Sequence, residues 1–317
     1  MPWTVGFDEA GYGPNLGPLL QAAVAVQLPL EDLAGWDALR RVVRKSGGRW
    51  GRDLRLVIDD SKKVYHGVNA LERLERGLFG AFGWQATSFG TMLQAVLPAW
   101  SYEELLGEEW FDATKQLPIA STPAMLKSDR EQFLFSLPTG CQCLGPMAIL
   151  TPTPWFNRVV DATGSKASLL SNGLMELLKA MVETTPGTGP LILFCDKQGG
   201  RTYYAEYLRM AFAGLDVIAE LERAEESRYR VEGTVRTITI VFRPRADGES
   251  IAVALASMVC KYIREVCMMQ FNDYWAKQVA DIAPTAGYPL DAKRFYDQIK
   301  YRLPELNLTD DQVWRKK

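Results

Sequence analysis

The sequence is poor in the residues on which several common chemistries depend. It has one histidine, His66, in 317 residues. A His-dependent catalytic triad or a histidine-rich metal site would have to use that single side chain. The five cysteines are an odd number and lack the paired spacing of a zinc ribbon, so we expect reduced thiols in a cytoplasmic protein. Carboxylates are the natural alternative for catalysis or metal binding.

Long apolar runs and an excess of one charge are also missing. No run of about 18 apolar residues occurs, and Asp8 and Glu9 stand where a signal peptide would need an apolar core. We therefore expect neither membrane contact nor secretion. Lys and Arg number 36 against 38 acidic residues, so a nucleic-acid partner would have to be held by a local basic patch. The hydrophobic fraction of 47% is that of an ordinary globular protein.

The opening stretch, residues 5–18, combines carboxylates with turn residues. A short apolar run ends at Asp8 and Glu9, and a Gly- and Pro-rich segment then leads into a second apolar run at residues 19–26. This pattern predicts a strand, an acidic tip and a return strand. Glycines at such a tip allow other backbone to approach closely. Taken alone, the stretch fits an ordinary hairpin with a charged turn equally well.

Two later acids repeat this arrangement. Asp196 ends the apolar run 191–195, which is typical of a central strand covered on both faces. Asp247 shortly precedes a long amphipathic helix, on which Ser257 and Lys261 share a second face suited to back onto a site. Each acid also has a simpler interpretation, since Asp247 could cap its helix and Asp196 could start a turn.

If these strands are neighbours in one sheet, four carboxylates crowd together. Two unit charges about 4 Å apart cost about 4 kcal/mol at an effective dielectric of 20, so a positive charge must offset them. Oxygen ligands without histidine or thiolate select Mg²⁺ or Mn²⁺, and paired ions suit phosphoryl transfer. Asp8 and Glu9 are consecutive and should point to opposite faces of a regular strand. Both can serve one site only if the strand ends or twists there.

The rest of the chain gives a coarser organisation. Leu33, Trp36, Leu39 and Val42 predict an amphipathic helix over 31–45. Residues 60–63, Asp-Ser-Lys-Lys, lie just ahead of a helix, where lysines and free amides can hold a phosphate. Alternation over 228–243 predicts a pair of strands. We interpret 1–317 as a single domain, with 84–155 as an insertion or subdomain and 286–317 as a C-terminal helical segment.

Several short motifs occur in a specific order. A Gly-x-Asp-Glu-Ala-Gly-x-Gly-Pro stretch is followed by an Asp-Ser-Lys-Lys segment, a buried strand ending in Asp, an Ala-Asp pair before a helix rich in small residues, and a final Gly-Tyr. This order resembles the type 2 ribonucleases H, also called ribonuclease HII. The stretches concerned are 6–18, 60–63, 191–196, 246–265 and 287–288, and 199–208 is similar to the archaeal and eukaryotic branch. The resemblance covers most of the chain except 84–155 and 220–243.

The resemblance implies an α/β, ribonuclease H-like fold with a mixed central sheet flanked by helices and an inserted subdomain. It implies a metal-dependent endonuclease that hydrolyses RNA in RNA-DNA hybrids, or at ribonucleotides embedded in duplex DNA, leaving a 3′-hydroxyl and a 5′-phosphate. Two Mg²⁺ or Mn²⁺ ions would activate a water and stabilise the leaving oxygen. We expect a monomer. The implied catalytic and metal-binding residues are Asp8, Glu9, Asp196 and Asp247, and the substrate contacts are Gly11, Tyr12, Gly13, Ser61, Lys62, Lys63, Lys197 and Tyr288.

Within that resemblance, Lys62 and Lys63 would grip substrate phosphates, and Tyr288 would stack on the sugar at the RNA-DNA junction. Backbone near Gly11 and Gly13 would meet the ribose 2′-hydroxyl.

The sequence also departs from the family pattern. Tyr12 stands where the family has an arginine, Lys197 where it has Gly or Thr, and Ala286 where it has Lys. Glu249 could supplement or replace Asp247 as a ligand. These changes leave the acids intact and alter substrate-reading positions, which suggests a changed substrate preference.

Other functions remain open from the sequence. The same scaffold could be a nuclease on another nucleic acid or a non-catalytic nucleic-acid-binding protein, which Tyr12 and Lys197 would allow. An actin-like ATPase or sugar kinase also begins with a strand, an Asp and a Gly-rich hairpin. Such proteins need a second hairpin and an adenosine-binding Gly-Gly motif, and they give the Asp247 helix no role.

Overall fold

The structure is a computed structural model that describes residues 1–47, 53–198 and 200–316. Gly199, which belongs to one of the matched stretches, lies outside the described residues. The strands are β1 (Trp3–Ala10), β2 (Leu19–Gln27), β3 (Val43–Arg44), β4 (Leu56–Val57), β5 (Gln142–Cys143), β6 (Met147–Thr151), β7 (Leu191–Asp196), β8 (Asp216–Glu222), β9 (Ser227–Glu232) and β10 (Ile238–Arg243).

The helices begin after β4 and occur between and after the later strands. They are α1 (Ser61–Val64), α2 (Ala70–Phe82), α3 (Phe89–Val96), α4 (Ala99–Leu106), α5 (Pro123–Ser136), α6 (Thr153–Thr163), α7 (Ala167–Thr184), α8 (Ala205–Ala211), α9 (Ile251–Gln278), α10 (Pro289–Ile299) and α11 (Asp310–Val313). None of the helices in the described ranges is long and apolar enough to cross a membrane.

A mixed sheet organises the molecule. Its order is β5-β2-β1-β7-β10-β9-β8, with β6 also paired to β2, which makes eight strands in the described part of the chain. β7 lies parallel to both β1 and β10, whereas β2 runs antiparallel to β1 and β6. Helices cover both faces. This architecture confirms the predicted α/β class with a mixed central sheet flanked by helices.

The two faces of the sheet bury different side chains because strand residues alternate between them. On β2, Ala22 and Val24 join the core formed with α9, whereas Ala23 and Ala25 join the core formed with α7 and α8. Gly6 is where α9 comes nearest to β1. A Cβ atom there would lie 2.1 Å from the carbonyl carbon of Ala252 and from the nitrogen of Val253. A glycine is therefore required for α9 to lie against the acid-bearing strand.

The predicted helix over 31–45 is wrong. Residues 30–42 form turns, and β3 follows at Val43. The Asp32 carboxylate accepts hydrogen bonds from the backbone nitrogens of Gly35 and Ala38, at 3.0 and 2.7 Å, and Gly35 has a φ of +81°. These local bonds compete with the helical ladder, although Leu39 is buried as the apolar spacing predicts.

The strands expected from 228–243 are present as β9 and β10. Residues 84–155 contribute α3, α4 and α5, together with the strands β5 and β6 that pair with β2. The C-terminal residues form α10 and α11, which pack on the end of α9 through Phe271 and Trp275. The division of the chain into a domain, an insertion and a C-terminal segment stays a prediction.

Candidate active site

Strand register brings the predicted acids to one edge of the sheet. Phe7 of β1 lies opposite Cys195 of the parallel β7, so Asp8 and Asp196 follow at the carboxyl ends of both strands. Arg243, at the end of β10, lies opposite Asp196. A 3₁₀ helix, Ala246–Gly248, then carries Asp247 back towards this edge.

A direct contact fixes the position of the 3₁₀ helix. The backbone nitrogen of Ala246 donates to Oδ1 of Asp196 at 3.3 Å. Asp247 lies one residue later; its charge raises the pKa of Asp8, and the charge of Asp196 raises the pKa of Asp247 itself. The structure therefore brings together the three sequence-distant acidic positions.

Asp8 and Glu9 leave β1 on opposite faces. Asp8 lies on the α9 side, where its carboxylate has a hydrogen bond with Ser257 and its carbonyl oxygen accepts from Sγ of Cys260 at 3.3 Å. Glu9 has the parity of Phe7 and lies on the α7 side. Asp8 and Glu9 nevertheless both border one small cavity, together with Asp196. The pairing of β1 with β7 stops at Phe7, just before the two acids, although β1 itself continues to Ala10.

The pKa values of these four carboxyls are all raised above their ordinary values. Burial raises the pKa of Asp8 well above its ordinary value, and the adjacent Glu9 charge adds to the rise. Burial raises the pKa of Glu9 to about 7, with a contribution from Asp196. The pKa values of Asp196 and Asp247 are also raised, chiefly by burial. The shared cause is loss of solvent around groups of like charge.

Lys62 is the basic side chain that opposes this repulsion. Its charge lowers the pKa values of Glu9, Asp196 and Asp247, which places it beside the acids. Asp60 caps α1 by accepting from the backbone nitrogen of Lys62 at 2.9 Å.

The neighbours of Lys62 have different surroundings. Oγ of Ser61 lies 2.8 Å from Oγ of Ser257, which connects α1 with the helix behind Asp8. Nζ of Lys63 contacts Oδ1 of Asp59 at 3.4 Å. The predicted segment is thus adjacent to the acids, but its two lysines face different partners.

The glycine-rich loop after β1 is held by arginines from distant parts of the chain. Arg315 donates from Nη1 to the carbonyl oxygens of Gly11 and Gly17, at 2.6 and 3.2 Å, and from Nη2 to that of Tyr12 at 3.3 Å. Gly11 has a φ of +89°, and a Cβ there would lie 2.7 Å from Nε of Arg264. Gly13 is exposed, with nothing within 4 Å of such a Cβ. The loop backbone is thus anchored on one side and open on the other.

Tyr288 approaches this loop from the C-terminal segment. The backbone nitrogens of Asn15 and Leu16 donate to the carbonyl oxygen of Gly287 at 2.8 and 3.3 Å. Tyr288 is 53% exposed, and its ring centroid lies 5.9 Å from Cζ of Arg264. The aromatic ring is accessible at the edge of the site.

Two other candidates turn away from the acids. Nζ of Lys197 donates to the carbonyl oxygen of Arg223 at 2.5 Å, between β8 and β9. Glu249 forms an ion pair with Nη1 of Arg243 at 3.1 Å and is largely exposed. In this arrangement neither side chain joins Asp8, Glu9, Asp196 and Asp247.

The donor set fits a hard divalent cation in its chemistry. It consists of carboxylate oxygens whose raised pKa values reflect burial and mutual repulsion, and both causes are relieved by a bound cation. Within 1–47, 53–198 and 200–316, no group of three or more His, Cys, Asp or Glu side chains is close enough to form a ready-made metal cage. Binding would therefore draw these side chains closer together.

The structure adds residues that sequence reasoning did not select for the site. Gln21 and Gln198 line the acid cavity, and both donate to the carbonyl oxygen of Leu170, at 2.9 and 3.3 Å. Arg315 anchors the loop from a tail without a recognisable motif. A partial signal existed for Ser257, which lies on the small and polar face of α9. For the others the sequence offered no signal, because they act through contacts between distant segments.

Comparison with known proteins finds similarity among solved structures. No protein-family profile and no curated protein matches the chain. Ribonuclease H2 from Pyrococcus horikoshii OT3 is 13% identical with a TM-score of 0.48, covering 98% of this chain and 92% of that one. Ribonuclease HII of Archaeoglobus fulgidus, solved as a complex with PCNA, is 15% identical with a TM-score of 0.43, covering 99% and 94%.

A further similar structure is Bst-RNase HIII in complex with Mn²⁺, which is 15% identical with a TM-score of 0.44. The match covers 99% of this chain and 66% of that chain. These neighbours are type 2 and type 3 ribonucleases H, the group that the sequence motifs resemble.

Proposed function

We propose that this protein is a Mg²⁺- or Mn²⁺-dependent endonuclease of the ribonuclease H type. Its substrate would be RNA in an RNA-DNA hybrid or a ribonucleotide embedded in duplex DNA. One observation carries the proposal: Asp8, Glu9, Asp196 and Asp247 gather at one sheet edge, with every pKa raised above its ordinary value. Clustering like charges in a partly buried place lowers the stability of a fold, so such a cluster indicates a functional site.

In this proposal the four carboxylates hold the cations. When bound, these ions supply an activated water and a positive charge at the leaving 3′ oxygen. Asp8 would be oriented by its hydrogen bond with Ser257, which Ser61 in turn contacts at 2.8 Å. These hydroxyls keep the carboxylate aimed at the sheet edge. Asp196 would be oriented by the backbone nitrogen of Ala246.

Other residues would act on the substrate itself. Lys62, the cation beside the acids, would contact a backbone phosphate once the carboxylates are occupied by metal. The exposed backbone at Gly13 would lie against the ribose, where the 2′-hydroxyl distinguishes RNA from DNA. The accessible ring of Tyr288 would stack on a sugar. The roles of Lys63 and Lys197 in substrate binding require movement away from Asp59 and Arg223.

The test compares cleavage of labelled duplexes by the full chain with Mg²⁺ or Mn²⁺. The substrates are an RNA-DNA hybrid, DNA containing a single ribonucleotide, and all-DNA. We expect cuts only at or beside ribonucleotides. Asp196→Asn should lower the rate about a thousandfold, because metal stabilisation of the transition state is worth several kcal/mol. Asp216→Asn is the matched control, because that acid is exposed at the start of β8 and should leave the rate unchanged.

Three results would contradict the proposal. Equal activity of the Asp196→Asn and Asp216→Asn proteins would remove the carboxylates from the chemistry. Cleavage of all-DNA at the same rate as the hybrid would show a nuclease that does not recognise ribose. Tight binding of the hybrid without cleavage, with either ion present, would favour the non-catalytic alternative.

A further inference from the structure

Two basic side chains lie beside the acid cavity and take no part in the site described above. Lys166 immediately precedes α7, and Arg201 follows β7 by five residues. Across the described ranges, neither makes an ion pair with a carboxylate. Both side chains are partly exposed. These two cations do not pair with the nearby acids, so ion pairing does not explain why they lie at the edge of the cavity.

The start of α7 is docked directly onto the acid cavity. Gln21 and Gln198, which line that cavity with Glu9 and Asp196, both donate to the carbonyl oxygen of Leu170. Leu170 belongs to the first turn of α7. Consequently the beginning of this helix, with Lys166 just before it, is fixed at the edge of the cavity.

Arg201 is fixed at the same edge. Its backbone nitrogen donates to the carbonyl oxygen of Gln198 at 3.0 Å, which turns the chain back towards α7. Its Nη1 then donates to Oγ of Ser171 at 2.8 Å, and its Cζ lies 4.2 Å from the centroid of the Tyr207 ring. The guanidinium is therefore held at Ser171, the residue after Leu170 on α7. Its other N–H groups are available to donate hydrogen bonds to a ligand.

Tyr12 connects this basic pair with the carboxylates. Its ring packs against the apolar cluster that includes Leu169 and Leu170, and Nζ of Lys166 lies 4.8 Å from its centroid. Burial raises the pKa of Tyr12, Glu9 adds to the rise, and Arg201 opposes it. Tyr12 is the third residue after Glu9, so their Cα atoms lie at most about 10 Å apart. Lys166 and Arg201 are therefore linked to the acids through Tyr12.

We propose that Lys166 and Arg201 form a phosphate-binding subsite for the backbone of a duplex nucleic acid. Resting on the proposed function, this subsite positions the strand whose adjacent phosphodiester enters the acid site. A phosphate is the ligand that an ammonium and a planar guanidinium recognise together. The overall balance of 36 basic and 38 acidic residues makes such a local pair necessary for holding a polyanion.

The subsite is tested by the salt dependence of binding. Fluorescence anisotropy in EDTA measures the dissociation constant of the full chain for an RNA-DNA hybrid and for an all-DNA duplex of the same sequence, from 50 to 300 mM salt. Each lost phosphate contact reduces the slope of log K against log salt by about 0.9. We expect Lys166→Ala and Arg201→Ala each to weaken binding about three- to tenfold. The double variant should lose about 1.8 from the slope.

Matched controls are available on α7 and α8, the helices that follow Lys166 and Arg201. Lys179 is exposed on α7, about 20 Å along the helix from Lys166. Arg209 is exposed on α8, beyond Arg201. Alanine at either position should leave the slope unchanged, and Lys166→Arg should restore most of the slope lost in Lys166→Ala. In cleavage assays with Mg²⁺, the Lys166 and Arg201 variants should raise KM and leave kcat nearly unchanged.

The outcomes separate the subsite from the proposed function. A reduced slope in the Lys166 and Arg201 variants alone supports the subsite, even if no ribonucleotide substrate is cleaved. Unchanged slopes in correctly folded variants, checked by circular dichroism, overturn the subsite while leaving cleavage by the acids intact. A wild-type protein that binds neither duplex overturns both. Equal weakening by the Lys179 and Arg209 variants overturns the subsite by showing that only diffuse charge matters.

Discussion

The acid-bearing end of β1 and the loop that follows it are neighbours in sequence but are held in place by different interactions. Asp8 and Glu9 are positioned by backbone pairing of β1 with β2 on one side and β7 on the other. Residues 11–17 have no such ladder. They are held by guanidinium groups that arrive from Arg264 and Arg315.

The difference shows which parts of a site are locally encoded. Strand register depends on apolar alternation within β1, β2 and β7, so the acids are positioned wherever those strands pair. The loop depends on contacts across about 300 residues of chain, such as that between Arg315 and Gly11. A single substitution far from the loop should therefore disturb it, whereas the acids should respond only to changes in the sheet or in α9.

The largest loss of stability is expected from a substitution in β1, the strand that positions Asp8 and Glu9. In Gly6→Ala, the new Cβ would meet the backbone of Ala252 and Val253 at 2.1 Å, and backbone cannot rotate away as a side chain can. We expect a loss of more than about 3 kcal/mol in the free energy of unfolding. Urea denaturation measures it. Gly13→Ala is the control for stability, because nothing lies within 4 Å of its Cβ. Equal stability of both variants would contradict this packing.

The next largest loss of stability is expected from a substitution that removes an anchor of the loop 11–17. Arg315→Ala removes three hydrogen bonds to the loop carbonyls and the stacking of the guanidinium 4.0 Å from the Phe156 ring centroid. Because the side chain is buried, we expect unfolding to become about 3 kcal/mol easier.

The adjacent Lys316 provides the control for that variant. Its Nζ pairs with Asp161 and Asp311 at 2.7 and 3.0 Å on the surface. Lys316→Ala should cost less than about 1 kcal/mol, as surface ion pairs do. Thermal and urea denaturation of both variants give the comparison. A loss in Lys316→Ala as large as that in Arg315→Ala would show that the tail contributes as a whole and not through this guanidinium.

The last prediction concerns the pH dependence of stability, with Glu108 as a buried carboxyl outside the site. Glu108 accepts from Nε1 of Trp110 at 2.6 Å, and its Oε1 has no hydrogen-bond partner among the described residues. Burial raises the pKa of Glu108 to about 8, with a smaller contribution from Glu104. A raised pKa means that this stabilising contribution is present below the ordinary value of 4.5 and is lost as the pH rises through about 8.

For this one group, stability should accordingly fall as the pH rises from about 4.5 towards 8, by at most about 1.4 kcal/mol per pH unit, and should level off above about pH 8. Glu108→Gln should flatten that fall, and Mg²⁺ should leave the Glu108 contribution unchanged. Denaturation curves at each pH, with and without Mg²⁺, give both results. A Glu108→Gln protein with the wild-type pH profile would show that this carboxyl is not protonated in the folded state at neutral pH.

Periodicity and motif order were sufficient to predict the sheet and the acidic edge. The run 191–195 predicted the central strand β7, and the alternation in 228–243 predicted β9 and β10. These predictions succeeded because a continuous apolar run indicates a strand covered on both faces, whereas alternation indicates a strand with one buried face. The placement of Asp8 and Asp196 follows from that register.

Features that depend on side chains meeting across the fold could not be predicted. The helix expected over 31–45 failed because Asp32 bonds to local backbone nitrogens, which apolar spacing does not reveal. Lys197 stays a predicted substrate contact, and the sequence did not reveal that its Nζ bonds to the carbonyl oxygen of Arg223. Arg315 and Arg201 gave no signal, because their partners lie in segments far away in sequence.

Calorimetric titration of Mn²⁺ into the protein tests most directly whether the gathered carboxylates form a cation site. Wild type is compared with Asp8→Asn and with Glu183→Gln, whose carboxyl is exposed on α7. We predict saturable binding to wild type and Glu183→Gln, and binding at least tenfold weaker to Asp8→Asn, because that substitution removes a charged ligand. Equal Mn²⁺ affinity for all three folded proteins would contradict the assignment of this edge of the sheet as a metal-dependent active site.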